Sequence, residues 1–468
     1  VSAGNRTAVS TITGITTYAY DALNRLASVT DPQGGISRYT YDAAGNQIEL
    51  SFPNGTSASY AYDLRDRLDA VEHAVTSGAT VLSRYDYTTD AVGRHVRLVE
   101  STGRVVDYAY DAIGRLTAEV DNLTGSPITT TYSYDAVGNR LNVTWDGTPT
   151  AFTYDSNNRM LTAGTATFGY DENGNLLRAQ FGTDVTTYDF DAQGRLLRQT
   201  APDGSVVAFD YDDAGNRVAR NAAGNVTTFL IDTADNSGLP QVLAERDGAG
   251  NLTSAYVYGN DLLRLRQSAD SRYYHTDAVG STRLLTTASG GVSDAYSYDA
   301  FGELLDISGS TPNFYLFAGE QLDADLGFYN LRARNYSPEA GRFISMDPFD
   351  GSLTDPRSMH GYTYAHNDPV NNVDPTGQFT LAGVSVSLGA RSVLSQVVRG
   401  YLTTRKAIDT AQKVADFIKA TAGPGVEKLR LNESATKEKL LRPPKYGAEF
   451  TTNVALSPDA IGINVGLK

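Results

Sequence analysis

The chain has 468 residues, 41% of them apolar and 20% charged, with a formal net charge of −15, a balance that suits a folded protein rather than a disordered one. It contains no cysteine, which removes disulfide frameworks and thiolate metal sites. No apolar run approaches the roughly 20 residues of a membrane helix, and Val1 opens neither a methionine start nor a basic-then-apolar secretion signal, so the chain reads as a fragment or a processed product.

Two parts differ in composition. Of 29 tyrosines, 27 precede residue 379, and residues 379–468 hold 13 Lys+Arg against 7 Asp+Glu, a net of +6 beside −21 for the rest. The first part is a repeat array. "YDALNRL" at 20–26 returns as "YDAAGNQ" at 41–47, "YDAIGRL" at 110–116, "YDAVGNRL" at 134–141 and "YDAFGELL" at 298–305. About thirteen units follow one another, and the pattern weakens between Asp212 and Asp277, where "RDGAGNL" at 246–252 echoes it.

Within a unit the period is two, the period of a strand. Pairs such as Tyr18/Tyr20, Tyr39/Tyr41, Tyr108/Tyr110, Tyr132/Tyr134 and Tyr296/Tyr298 put two rings on one face. The aspartate that follows (Asp21, Asp42, Asp111, Asp135, Asp299) caps a tight turn by bonding backbone N–H groups two residues on, with a glycine such as Gly45 or Gly114 for positive φ. Arg or Asn plus Leu opens the return strand. Each unit is therefore expected to be a β-hairpin, with the repeated Tyr and Asp in structural roles. Hairpins that are marginal alone must stack side by side, and accumulated twist must curl so many strands. The expected fold is mainly β: one long antiparallel sheet coiled into a ribbon or shell wall.

After the array come "FAGEQLDADLGFYNLRARNYSPEAGRFISMDP" at 317–348 and "YAHNDPVNNVDPTG" at 364–377. The alternation in the first predicts a further hairpin turning at 338–341, with Arg332, Arg334 and Arg342 near its strands. Asp-Pro corners occur at Asp347, Asp355, Asp368 and Asp374, and several are expected to be simple turns.

Array and signature together resemble the YD-repeat proteins of the Rhs family with their associated core domain, over about four fifths of the chain. The resemblance implies a hollow β-cocoon over 1–310, a core segment closing it at 311–378, and a variable C-terminal domain at 379–468 held inside as a toxin. It also implies a secreted or cell-surface bacterial setting, an immunity protein as partner, and a shell completed by an N-terminal region or a partner chain. By position it carries over aspartyl self-cleavage, with Asp347 and Asp374 as the acid pair, Arg342 holding their charge, and scission between Gln378 and Phe379. Two positions depart from the family pattern: Asp350 stands where Gly is usual, and Gln378 where Leu is customary.

No cofactor is expected. "DENGN" at 171–175 fails as a calcium loop because position six is Leu176 and position twelve Gly182. The histidines, His73, His95, His275, His360 and His366, lack metal-ligand spacing, and no P-loop, dinucleotide fingerprint or nucleophile elbow is present. In the tail, residues 391–425 carry helical periodicity, flanked by strand-like stretches at 379–390 and 448–468. The tail has no histidine, which argues against nucleases that use His as base. A surface, adhesion or carbohydrate-binding scaffold without catalysis is the alternative reading, and it predicts a tail that does nothing when expressed alone.

Overall fold

The structure, a computed structural model, describes residues 5–76, 80–123, 125–235, 237–351, 355–378, 380–382, 450–457 and 460–467. Twenty-nine strands, β1 (Ala8–Thr11) through β29 (Leu304–Ser308), form one sheet in which sequence neighbours pair antiparallel. The expected hairpins are present, and so is a bulge that the sequence pattern conceals. The register slips just before the second aromatic of a pair, between Ala19 and Tyr20, Thr40 and Tyr41, and Ser133 and Tyr134, a device that bends a strand and raises its twist.

Each conserved letter of the unit has a distinct physical task. Asp111 Oδ1 accepts the N–H groups of Ile113 (3.1 Å) and Arg115 (2.9 Å), while Oδ2 takes Arg115 Nε at 2.6 Å. Gly114 sits at φ 90°, open to Gly and strained for other residues. Arg115 then reaches the next unit: Nη1 donates to the Asp135 carbonyl at 2.7 Å, and the guanidinium lies 4.8 Å from the Tyr134 ring centroid. The same relay joins Asp21, Arg25, Tyr41 and Asp42. Where Asn replaces Arg, as at Asn46 and Asn139, its amide closes the turn on Asp42 or Asp135 at 2.9 Å.

The tyrosines divide the work. The first ring of a pair is buried, as for Tyr18, Tyr39 and Tyr132. The second donates its hydroxyl to the previous unit: Tyr20 to the Arg6 carbonyl, Tyr41 to Leu26, Tyr110 to His95, Tyr134 to Leu116 and Tyr298 to Thr282, at 2.6–2.8 Å. A ring face, a hydroxyl and a carboxylate thus bind each hairpin to its neighbour, over and above the ladder. The Asp247 turn, in the weak part of the array, is built alike, with Asn251 Nδ2 on Asp247 Oδ2 at 2.9 Å.

The sheet folds back on itself, so early strands touch late ones. Asn54 Nδ2 donates to the Thr287 carbonyl (2.8 Å), Asn260 Nδ2 to Gln47 Oε1 (3.1 Å), and Arg283 Nη2 to Glu100 Oε1 (2.5 Å). Every histidine is buried or nearly so, and most lie on such seams. His275 Nδ1 meets His73 Nδ1 at 3.1 Å, the His95 N–H donates to Asn371 Oδ1 (2.7 Å), and His360 Nε2 contacts Asn139 Oδ1 (2.8 Å).

Beyond the sheet, β30 (Gln321–Asp323), β31 (Phe328–Leu331), β32 (Arg334–Ser337) and β33 (Arg342–Phe343) form a small four-stranded sheet. Tyr329, Tyr336, Phe343 and Tyr364 pack there with Phe317, Tyr336 and Tyr364 at 4.2 Å between centroids. The Tyr336 hydroxyl donates to the Phe301 carbonyl (2.6 Å) and that of Tyr329 to Gly302 (3.2 Å), tying this segment to the turn after Asp299. β34 (Asn372–Val373) pairs with β35 (Leu381–Ala382). The chain forms two compact units, residues 1–236 with 240–392 and residues 237–239 with 393–468; in the second, β36 (Phe450–Ser457) and β37 (Ala460–Leu467) make a hairpin. The helix expected over 391–425 lies outside the described residues.

Candidate active site

The hairpin of β32 and β33 turns at 338–341, where the Gly341 N–H donates to the Pro338 carbonyl at 3.0 Å. Its first residue, Arg334, is the hub of the site. Arg334 Nη2 is 2.7 Å from Asp347 Oδ2 and 3.5 Å from Asp374 Oδ2, so the two aspartates, 27 positions apart in the chain, share one nitrogen. All three side chains are buried. The rest of the guanidinium is engaged as well: Nη1 donates to the Gly361 carbonyl at 2.9 Å, Nε to the Gly377 carbonyl, and the group lies 3.6 Å from the Phe343 ring centroid.

Local turns aim each carboxyl. Asp347 Oδ1 accepts the Phe349 N–H (2.8 Å), and its own N–H donates to the Gly361 carbonyl (2.8 Å). Asp374 Oδ1 accepts the Thr376 hydroxyl and the Gln378 N–H, both at 3.1 Å. Proline after each aspartate fixes the corner. Gly377, at φ 67°, is pressed against β31: a Cβ there would collide with the Leu331 carbonyl oxygen. The segment after Asp374 is further held by Arg332, itself at φ 63°, whose Nη1 donates to the Pro375 carbonyl and to Glu320 Oε2 (2.8 Å). Burial pushes the Glu320 carboxyl up, and Arg332 pulls it back. Such a site offers two carboxyls, a fixed cation and a clamped backbone leading to Gln378. Phe379 lies outside the described residues.

Asp347, Asp374 and Gln378 come together; Arg342 does not join them. Its Nη2 donates to the Asn158 carbonyl (2.6 Å), and its guanidinium stacks 4.9 Å from Tyr154 and 4.8 Å from Tyr362. It fastens the core to a hairpin turn, and Arg334 occupies the position assigned to it. The sequence set both arginines beside the same hairpin, but only the pairing of β31, β32 and the 374–378 segment selects Arg334. The other Asp-Pro corners are turns: Asp355 pairs with Arg357, and Asp368 holds Asn371 while burial lifts its carboxyl to about 7. Among the described residues no cluster of metal-ligating side chains occurs. Tyr20, Tyr41, Tyr110, Tyr134 and Tyr298 and the aspartates after them carry the sheet contacts described above.

The family model of the teneurin YD-shell matches residues 84–370, and RHS repeats match residues 2–36, 20–57 and 41–80. A tRNA3(Ser)-specific nuclease WapA of Bacillus spizizenii is 35% identical over 193 residues, covering 40% of this chain and 8% of that protein. The toxin protein Tse5 of Pseudomonas aeruginosa is 33% identical over 128 residues, 26% of this chain and 9% of that protein. The chain therefore spans about a tenth of these relatives or less. A Photorhabdus luminescens Tc holotoxin pore structure superposes with a TM-score of 0.62 at 18% identity, over 80% of this chain and 22% of the other, a likeness of fold. On the match across most of its sheet and core, the chain belongs to the teneurin YD-shell family, whose bacterial relatives include polymorphic toxins.

Proposed function

We propose that this chain is the shell of a polymorphic toxin that encloses its own C-terminal segment, residues 379–468, and frees it by aspartyl self-cleavage after Gln378. The reading rests on Asp347 and Asp374 meeting at one Arg334 nitrogen beside the Gln378 N–H. Aspartic chemistry requires two neighbouring carboxyls that share one proton, the state proposed for this pair during the reaction. The ionised one activates water and the protonated one polarises the scissile carbonyl, while Arg334 stabilises the charge that stays behind. Export to the cell surface or exterior, by analogy with the named toxins, and an immunity protein as partner follow from the same reading.

Purified full-length chain is expected to convert to two fragments, and Asp374→Asn to remain one species by intact mass; identical single species in both would remove the protease. A scaffold role without release has its own support in a 31% identical stretch of the salivary gland surface protein 1 of Aedes aegypti. Growth arrest on expression of residues 379–468 favours the toxin, and a harmless tail favours the scaffold.

A further inference from the structure

A concavity lies between the strands of residues 116–199 and the segment of residues 299–344, with a volume of about 870 Å³. That is the size of pockets that take a discrete ligand. Its walls are aromatic and aliphatic, and two of its rings, Trp145 and Phe181, are 58% and 49% exposed. An uncovered tryptophan and an uncovered phenylalanine on the walls of one concavity are costly to leave in water. Five carboxylic acids, Glu119, Asp121, Asp299, Glu303 and Glu339, line the same space, and of these Asp121 is held by Arg104.

Glu119 is only 3% exposed, and its Oε2 accepts the Ala300 N–H at 3.2 Å, but its Oε1 has no hydrogen-bond partner among the described residues. A buried acceptor left open is a defect that a ligand donor repairs. The two lining cations are poorly placed to supply that donor. Arg342 is bound to the Asn158 carbonyl, and Arg140 lies flat on Phe301, 4.0 Å from its centroid, with Gly341 so close that a Cβ would overlap its Nη2. Arg140 Nε and Nη2 are themselves without partners, walled in by those two neighbours. Five acids, one of them paired with Arg104, against two such cations leave the lining short of positive charge.

We propose that this cavity binds a peptide segment that sets one lysine or arginine side chain between apolar neighbours. The apolar residues cover Trp145 and Phe181, and the cation settles toward Glu119 and Asp299. Burial first, then the charge of Asp299, holds Glu119 above the usual carboxylate range, and burial raises Asp299 as well. An arriving cation therefore displaces a proton from the pair, and binding tightens as pH rises toward neutrality. The site is distinct from the Asp347–Asp374 pair and stands whether or not the chain cuts itself.

Trp145 is the chain's single tryptophan, so its emission reports the cavity directly. Full-length protein is titrated with the peptide acetyl-Phe-Leu-Lys-Leu-Phe-amide and with its Glu-for-Lys counterpart. The expected result is a saturable blue shift with the lysine peptide, at least about tenfold tighter than with the glutamate peptide, and proton release measured by calorimetry in two buffers. In Glu119→Gln/Asp299→Asn the preference should collapse toward one. No saturable shift up to about 1 mM lysine peptide, or equal or tighter binding of the glutamate peptide to the wild-type chain, overturns the proposal without any variant needing to fold.

Discussion

In the sheet, Asp21, Asp42, Asp111 and Asp135 each accept N–H groups of their own turn and one side chain four residues on. In the core, Asp347 and Asp374 hold their own turns through Oδ1 and turn the second oxygen, Oδ2, to a shared distant partner, Arg334. The first arrangement is local and repeated, so its energy is spread over many equal parts. The second joins segments far apart in sequence and occurs once. One kind of residue thus serves as a local stabiliser in the sheet and, under the proposed function, as a reactive group in the core.

Breaking that contrast should give unequal effects. The largest belongs to the pair: Asp347→Asn or Asp374→Asn should slow self-cleavage by at least about 10³-fold, about 4 kcal/mol in barrier, with the thermal midpoint little changed. Arg334→Met should cut both the rate and the stability, because it strands two buried carboxyls. Arg342→Met should leave the rate close to wild type, which separates the two arginines by a single assay. Next come the core rings. Tyr336→Ala or Phe343→Ala should cost about 3–5 kcal/mol in denaturant unfolding, since each is almost wholly enclosed.

The seams between distant strands respond to acid. Burial lowers the affinity of His73 and His95 for a proton to about 4, and puts that of His275 well below its usual value. The folded chain therefore refuses protons that the unfolded chain accepts. Stability is full above about 6.5 and falls as pH drops from there toward 4. Denaturant midpoints should decline from pH 7 to pH 5, and His73→Asn/His275→Gln should flatten that decline; a midpoint independent of pH across this window would contradict the seam.

The smallest effects belong to single repeat positions. Asp111→Ala should cost about 1–2 kcal/mol and Tyr41→Phe about 1 kcal/mol or less, with the sheet intact in both. Turn aspartates with lowered values matter only in strong acid, unlike Asp299 and Asp277, which burial raises. Asp63, for instance, is held at about 2 by the Arg67 side chain and then its N–H, so its contribution persists until pH falls through that range.

Much of the sheet was legible because its information is local. Alternation predicts the strands, and the Tyr-Asp corner predicts the turns. The bulge before Tyr20, Tyr41 and Tyr134 was not, since the letters on either side of it still alternate. Nor was the reach of Arg25 or Arg115 to the next tyrosine, because it depends on how hairpins stack. In the core, Asp347 and Asp374 could be named from their corners, but the choice of Arg334 over Arg342 needed β31, β32 and the 374–378 segment side by side. Glu320 and Arg332, which brace that segment, carry no motif that would single them out. The unpartnered oxygen of Glu119 likewise exists only once residues 119 and 300 are neighbours.

Mapping the cut on purified wild-type chain is the most direct measurement. Mass spectrometry should find fragments 1–378 and 379–468, the second beginning at Phe379, and neither fragment in Asp374→Asn. A wild-type chain that stays whole, or one cut elsewhere and equally in the variant, would contradict the assignment of Asp347, Asp374 and Arg334 as the cleaving group.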